Sequence, residues 1–382
     1  MPVSRIDIPN IRLGEEFSCS CGKRHRVATR QLFFGDSLET LLTSLDDITS
    51  KGGHAVIVTG PRTRLIAGET VKGYFASRGF RTLVIEVERA DLATVAEVEK
   101  LASGCSLTVA VGGGNVIDSC KYAAHTLGVP FISIPTTISH DGIASPVASI
   151  LLGSRRTSIM ATPPVKVVIA EPLIRSSPKR LIASGCADIL AKSTALRDWL
   201  LGHIIKDEYL CENTLNLTAS ALKDVRSFID GGGRDFLPLA SAAAKCGVAM
   251  ALVGSSRPCS GAEHLFSHYL DMVGEGLGLH GEQVGLGAIL MAARYEDSDA
   301  PPVKGFELSS LDLKNYLSRA GAPTSIREIN ISTETAVRAL LECKNLRPER
   351  YTILHHAPLT QTAALKLLKQ TDMLTETQQP KE

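Results

Sequence analysis

"LTVAVGGGNVIDSCKYAA", residues 107–124, holds three features in eighteen positions: a short apolar run, three consecutive glycines, and a stretch with helical spacing. Glycines 112 to 114 fall where the strand ends and the helix begins. Glycine there lets the backbone come close to a ligand, and the free amides of a helix start, with the helix dipole, favour a phosphate. The match to G-x-G-x-x-G is poor, because Asn115 follows the glycines directly and the third glycine of that fingerprint is missing. A tight turn needed only for packing is the competing account. Asp118, early in the helix, complements its positive end.

Working outward, residues 54–170 alternate short β-branched runs with helical stretches: "HAVIVT", "RLIAGETVKGYFASRG", "RTLVIEVE", "DLATVAEVEKLAS", then the quoted segment, "PFISIPT" and "VKVVIA". Continuous apolar strands separated by helices predict a parallel sheet covered on both faces, an α/β Rossmann-like layer. "VASILL" and "TSIMAT" around "GSRR" predict a hairpin inserted in it. Beyond about residue 175 no strand-like run follows, so the second half reads as all helix. The expectation is an N-terminal Rossmann-like domain over 1–175, with a short appendage over 1–35, and an all-α domain over 176–382. With 382 residues, two cores fit the length. A cleft at their joint is where a ligand site belongs.

The loop "PTTISHDGIAS", residues 135–145, follows the next strand and so lies at the same carboxyl edge of the sheet, where ligands sit in open α/β folds. Thr136, Thr137, Ser139 and Ser145 offer hydroxyls to a cofactor, and Asp141 offers a carboxylate to a sugar or glycerol hydroxyl. Building a turn is the other use of these residues.

Composition narrows the partners. Lysine and arginine number 41 against 40 acids, for a net charge of +1, so no global field draws in nucleic acid or an anionic membrane. The apolar stretch "LASAAAKCGVAMALVG" is broken by Lys245 and too short to span a bilayer. No signal-peptide core is visible in "MPVSRIDIPNIRLGEEF". Nine scattered cysteines, an odd number in a large chain, are no disulfide framework, and a reducing cytoplasm fits them.

Asp188 sits in "ASGCADILAKSTALRDW" among small apolar neighbours, where a lone carboxylate is costly unless paired or bound to metal. Lys192, one turn on, is the alternative partner. His264 and His268 are spaced i, i+4 in "SSRPCSGAEHLFSHYLD", and His280 opens another helical stretch, "GLGLHGEQVGLGAILMAA". One Asp and two His make an open divalent-metal site with room for substrate.

With these blocks in hand, the chain resembles the sn-glycerol-1-phosphate dehydrogenases, in the superfamily that also holds glycerol dehydrogenases, iron-type alcohol dehydrogenases and dehydroquinate synthases. "GGGNVIDSCKYAA", "PTTISHDGIASP", "ADILAKSTALRDW", "GSSRPCSGAEHLFSHYLD" and "LHGEQVGLGAILM" carry the likeness, in order, over roughly residues 50 to 295. It implies a dehydroquinate synthase-like fold and metal-dependent, NAD(P)H-linked reduction of dihydroxyacetone phosphate. By position it assigns Asp188, His264 and His280 to the metal, zinc being expected and nickel or iron also suiting the set. Asp141, Asp188 and His268 fall at substrate-contacting positions, with Asp188 and His268 as the catalytic pair. Gly112, Gly113, Gly114, Asn115, Asp118, Thr136, Thr137, Ser139 and Ser145 fall in the cofactor loops. A homo-oligomer acting on a small phosphorylated ketone is implied. A polyol dehydrogenase and a carbocycle-forming lyase of the same superfamily are the alternatives.

Three further expectations come from the residues themselves. Arg257 is the candidate for the substrate phosphate, with Arg155 second. After the first strand "VTGPRTR" carries no acid, so Arg62 or Arg64 could meet a 2'-phosphate and NADPH should be accepted. In "FSCSCGKRHRV" Cys19, Cys21 and His25 lie close together but lack C-x-x-C spacing and a fourth ligand, so a small appended hairpin is expected there rather than a zinc knuckle.

Overall fold

The computed structural model describes residues 3–374 apart from 51, 154 and 304, and no side chain of residue 155. Eleven strands occur in it: β1 (Ser4–Arg5), β2 (Glu16–Ser18), β3 (Arg24–Arg26), β4 (Gln31–Gly35), β5 (Gly53–Thr59), β6 (Phe80–Glu86), β7 (Leu107–Gly112), β8 (Phe131–Pro135), β9 (Val147–Leu152), β10 (Arg155–Met160) and β11 (Lys166–Ala170). Seven form one sheet in the order β1-β4-β11-β8-β7-β5-β6, parallel except for β1. Every residue of β7, β8 and β11 is buried, which is why they read as largely apolar runs, with Thr108, Ser133 and Lys166 their polar members.

The period of two divides each strand between two cores. Ala55, Ile57, Val109 and Val111 face helices Leu38–Leu42 and Glu69–Ser77. Val56, Val58 and Ala110 face helices Leu92–Leu101 and Gly114–Leu127, in a core continuous with the helical C-terminal part. From Glu171 onward the described residues contain helices and no strand.

The order of the central strands places the site. β6 lies on one side of β5 and β7 on the other, so the chain reverses direction across the sheet between β5 and β7. The loops leaving their carboxyl ends part there and leave a crevice. The hairpin β9–β10 forms its own two-stranded sheet and docks on the β6 side through Leu151 N–H donating to Ala90 O at 2.8 Å. Its second strand, β10, begins at Arg155, two residues earlier than "TSIMAT" suggests.

Two features of the N-terminus differ from expectation. β4 is not in an appendage: it is second from the edge of the sheet and pairs in parallel with β11 over Gln31–Gly35. The hairpin β2–β3 packs on the helical part, where His25 Nδ1 lies 2.8 Å from Leu252 O and Lys23 Nζ sits 3.3 Å from the Tyr209 ring centre. Long-range pairing of this kind leaves no local pattern in five or three residues.

Helix Lys179–Leu190 is pressed between the loop after β8 and helix His280–Glu296 at two glycines. A Cβ on Gly185 would collide with the carbonyl oxygen of Ile138, and one on Gly281 with that of Ser184. Glycine to alanine inside a helix is ordinarily worth about 1 kcal/mol in favour of alanine. Here overpacking costs about 1–3 kcal/mol or more and wins. Gly185→Ala is therefore expected to lower the unfolding temperature and to reduce bound metal together, read by calorimetry and metal analysis.

Candidate functional site

The crevice is a cavity of about 760 Å³ at the carboxyl ends of β5, β7 and β8, walled on the other side by the helical part. Gly60, Gly113 and Thr137 line it from the sheet, and His264, His268 and His280 from the helices. That volume is ample for a dinucleotide with a small substrate.

On the sheet side, helix Gly114–Leu127 starts at Gly113 without any side-chain cap, so its first amides face the cavity unclaimed by the chain. Thr137 Oγ1 is buried on the same wall with no partner. An orphaned hydroxyl beside free helix-start amides fits the phosphates of a nucleotide. The remaining loop residues divide. Gly114, Asn115, Asp118, Ser139 and Ser145 line the cavity, whereas Gly112 and Thr136 support it from behind. Asn115 Nδ2 donates to Glu88 O at 2.9 Å, which ties the turn to the segment after β6. Asp118 pairs with the fully buried Lys121 at 3.2 Å, and Lys121 Nζ also donates to Gly142 O and Val147 O at 3.0 and 2.6 Å. Ser145 Oγ donates to Val147 O at 3.1 Å. Asp118 and Ser145 thus brace the 141–147 loop, and the helix-start role expected of Asp118 is only part of its work.

On the helical side, one ligand atom from each of Asp188, His264 and His280 lies within 4.8 Å of the others. His264 Nε2 is 3.4 Å from Asp188 Oδ1, and the His264 and His280 ring centres are 5.3 Å apart. The tautomers can be worked out from their partners. Glu263 Oε1 lies 2.8 Å from His264 Nδ1, so that nitrogen carries the proton and Nε2 is left to ligate. Ser267 Oγ donates to Gln283 Oε1 at 2.7 Å and so accepts from His280 Nδ1 at 3.1 Å, freeing His280 Nε2 likewise. Burial, with the neighbouring His264, pushes His280 down to about 3, so it is a neutral ligand at neutral pH. Burial and Lys192 oppose protonation of His264, but hydrogen bonds to Asp188 and Glu263 outweigh them and shift it upward. One carboxylate and two oriented imidazoles fit a divalent metal.

Asp188 is fully buried, and burial alone would favour its protonated form; Lys192 and His264 reverse this and hold it well below the usual carboxylate range. Lys192 Nζ bridges Asp188 Oδ1 at 2.9 Å and Asp141 Oδ2 at 2.8 Å, while Asp188 Oδ2 accepts from the Asp141 amide at 2.9 Å. Asp188 thus pairs with Lys192 while remaining in the Asp188, His264 and His280 donor cluster. His268 stacks on His280 at 6.0 Å, and its buried Nδ1 has no partner, leaving it available to a ligand. Burial and the two other imidazoles push it well down, so it stays neutral.

Arg257 is corrected. Its guanidinium forks onto Glu208 at 2.8 and 2.9 Å and donates to Asp198 O and Tyr351 O at 2.7 and 2.6 Å, facing away from the cavity. Its neighbours Ser256, Cys259 and Ser260 face in. The side chain of Arg155 lies outside the described residues, but Arg156 lines the cavity with Ser149 and Asp271. Arg64 is committed to Glu69 and Glu86 at 2.7 and 2.8 Å, whereas Arg62 lines the cavity. Sequence reading missed Arg156 and the orienting residues Glu263, Ser267 and Gln283. The acid adjoining His264 and the amide three positions after His280 were the only local signals for the orienting residues.

Residues 36–178 match the family model described as iron-containing alcohol dehydrogenase. The chain is 39% identical over 354 residues, 90% of its length and 97% of the relative's, to a Thermococcus kodakarensis protein named glycerol-1-phosphate dehydrogenase (NAD(P)+). It is 40% identical over 326 residues to the protein of that name from Methanothermobacter thermautotrophicus, covering 84% and 91% of the two chains. Among solved structures, glycerol dehydrogenase from Schizosaccharomyces pombe superimposes with a TM-score of 0.71 at 17% identity, over 89% of this chain and 88% of that one, a likeness of fold. No helix among the described residues is long and apolar enough to cross a membrane.

Proposed function

The chain belongs to the glycerol-1-phosphate dehydrogenase family, and on that premise we propose that it reversibly reduces dihydroxyacetone phosphate to sn-glycerol 1-phosphate. The observation that carries this reading is the convergence of the Asp188, His264 and His280 donors on the cavity that also receives the uncapped helix start at Gly113. When bound, NAD(P)H supplies a hydride to the C2 carbonyl and the divalent ion supplies Lewis acidity at its oxygen. Asp188, His264 and His280 would hold the ion. The amides at the start of helix Gly114–Leu127 and Thr137 would hold the cofactor.

The chain's own residues do the positioning. Lys192, joined to both Asp188 and Asp141, fixes the two carboxylates relative to each other, so that Asp141 presents its free lone pairs to a substrate hydroxyl. His268, neutral and unpartnered at Nδ1, offers a hydrogen bond rather than a charge to the same three-carbon ligand. Arg156 is the cation we assign to the substrate phosphate, in place of Arg257. A lost charge-assisted bond is worth about 1.5–3 kcal/mol, so Arg156→Ala should raise KM for the phosphorylated ketone about 10- to 100-fold while leaving dihydroxyacetone unaffected. Arg62 supports acceptance of NADPH. The same reading includes a division of the chain near residue 175, a cytoplasmic setting supported by nine free thiols, and a homo-oligomer supported by the family likeness.

The test is oxidation of NADH and of NADPH by dihydroxyacetone phosphate, on metal-stripped protein before and after zinc or nickel is restored. Metal-dependent turnover with a poor response to dihydroxyacetone, and an sn-1 product, supports the reading. Turnover of glycerol or dihydroxyacetone in preference to their phosphates would make the chain a polyol dehydrogenase. NADPH left unused would remove Arg62 from the cofactor.

A further inference from the structure

The hairpin β2–β3 carries a second set of metal donors, 186 or more positions from its fourth member. Cys19 and Cys21 stand at the hairpin tip, where Gly22, at φ 82°, turns the chain and its amide donates to Cys19 O at 3.1 Å. His25 follows on β3. Folding brings Cys211, at the start of helix Glu212–Asp230, onto these three. The four donor atoms lie within 4.8 Å of one another, with Cys19 Sγ to Cys211 Sγ at 3.7 Å, Cys21 Sγ to His25 Nε2 at 3.2 Å and Cys211 Sγ to His25 Nε2 at 3.6 Å. Zinc bonds of about 2.3 Å to sulfur and about 2.0–2.1 Å to nitrogen, arranged as a tetrahedron, require edges of roughly 3.8 and 3.5 Å. The cluster already has nearly those dimensions.

We propose that Cys19, Cys21, His25 and Cys211 bind a structural zinc ion, separate from the ion at Asp188, His264 and His280. The surroundings are those of a built site. His25 Nδ1 is engaged by Leu252 O at 2.8 Å, which fixes the ring with Nε2 toward the three sulfurs. Asn213 Nδ2 donates to Cys19 Sγ at 3.3 Å, and the Tyr209 hydroxyl lies 3.2 Å from Cys21 Sγ, both suited to partner thiolates. Four protein ligands leave no open position, so this ion does no chemistry on substrate. Three soft sulfurs and one imidazole select zinc over the harder ions.

The ion would fasten residues 19–25 to the 207–211 segment. Tyr209 O in that segment accepts from Trp199 Nε1 at 2.8 Å, and Glu208 is the fork that holds Arg257. The turn Arg257–Cys259, one wall of the cavity, is thereby anchored to the hairpin from behind.

Metal analysis of the full-length protein decides the matter. Two metal equivalents per chain are expected, of which Cys19→Ser or Cys211→Ser removes one and Asp188→Asn removes the other. Cobalt-loaded wild-type protein is expected to show thiolate-to-cobalt charge-transfer absorption, which an Asp-His-His site has no sulfur to produce; this readout stands even if a cysteine variant does not fold. Cys211→His, keeping a ligand, should retain the ion and the unfolding temperature that Cys211→Ser loses. A single metal equivalent lost in Asp188→Asn, or no thiolate absorption in the cobalt protein, would each overturn the proposal.

Discussion

Asp188→Asn is expected to reduce kcat/KM for dihydroxyacetone phosphate by about 10³-fold or more, with loss of the metal bound beside His264 and His280. The substitution removes the single anionic ligand of the set. It also leaves Lys192 buried with only Asp141 to balance it, and Lys192 is held well above its usual range by those two carboxylates against the cost of burial. Lewis-acid stabilisation of a developing alkoxide is worth several kcal/mol, and each ~1.36 kcal/mol is tenfold in rate. Steady-state kinetics on protein with measured metal content check this. A variant that retained its metal and most of its turnover would take Asp188 out of the metal site.

Arg257→Ala is expected to act on the fold and not on the substrate. Arg257 is buried but its partner Glu208 is 31% exposed, so Glu208 left alone is partly rescued by water and the cost is that of the charge-assisted bonds lost, each about 1.5–3 kcal/mol. Here Glu208 would lose both its bonds, and the carbonyls of Asp198 and Tyr351 would lose their donor. The unfolding midpoint in urea should fall markedly while KM for the phosphorylated ketone in the folded enzyme stays within about twofold. An equal midpoint with a raised KM would return Arg257 to the substrate.

These two residues also mark where sequence is legible. Asp188 could be picked out because a lone acid in a helix of alanine, glycine and cysteine has few explanations. The i, i+4 spacing drew attention to His264 and His268, but the grouping of His264 with His280 came from the family resemblance, and the alternation of apolar runs pointed to the sheet. Arg257 misled because sequence neighbourhood says nothing of which side of a short 3-10 turn a side chain takes; Ser256 and Cys259 took the cavity side. Strand β4 and Cys211 were out of reach for a shared reason. Each is defined by a partner more than a hundred positions away, and neither a five-residue strand nor a single cysteine carries a local trace of it.

The hydrogen bond from the Asp141 amide to Asp188 Oδ2 joins the loop we assign to the cofactor side of the cavity to the carboxylate we assign to the metal. Two binding events that share one such link are thermodynamically reciprocal: whatever factor the nucleotide adds to metal affinity, the metal must add to nucleotide affinity. The ratio of metal affinities with and without nucleotide should therefore equal the ratio of nucleotide affinities with and without metal.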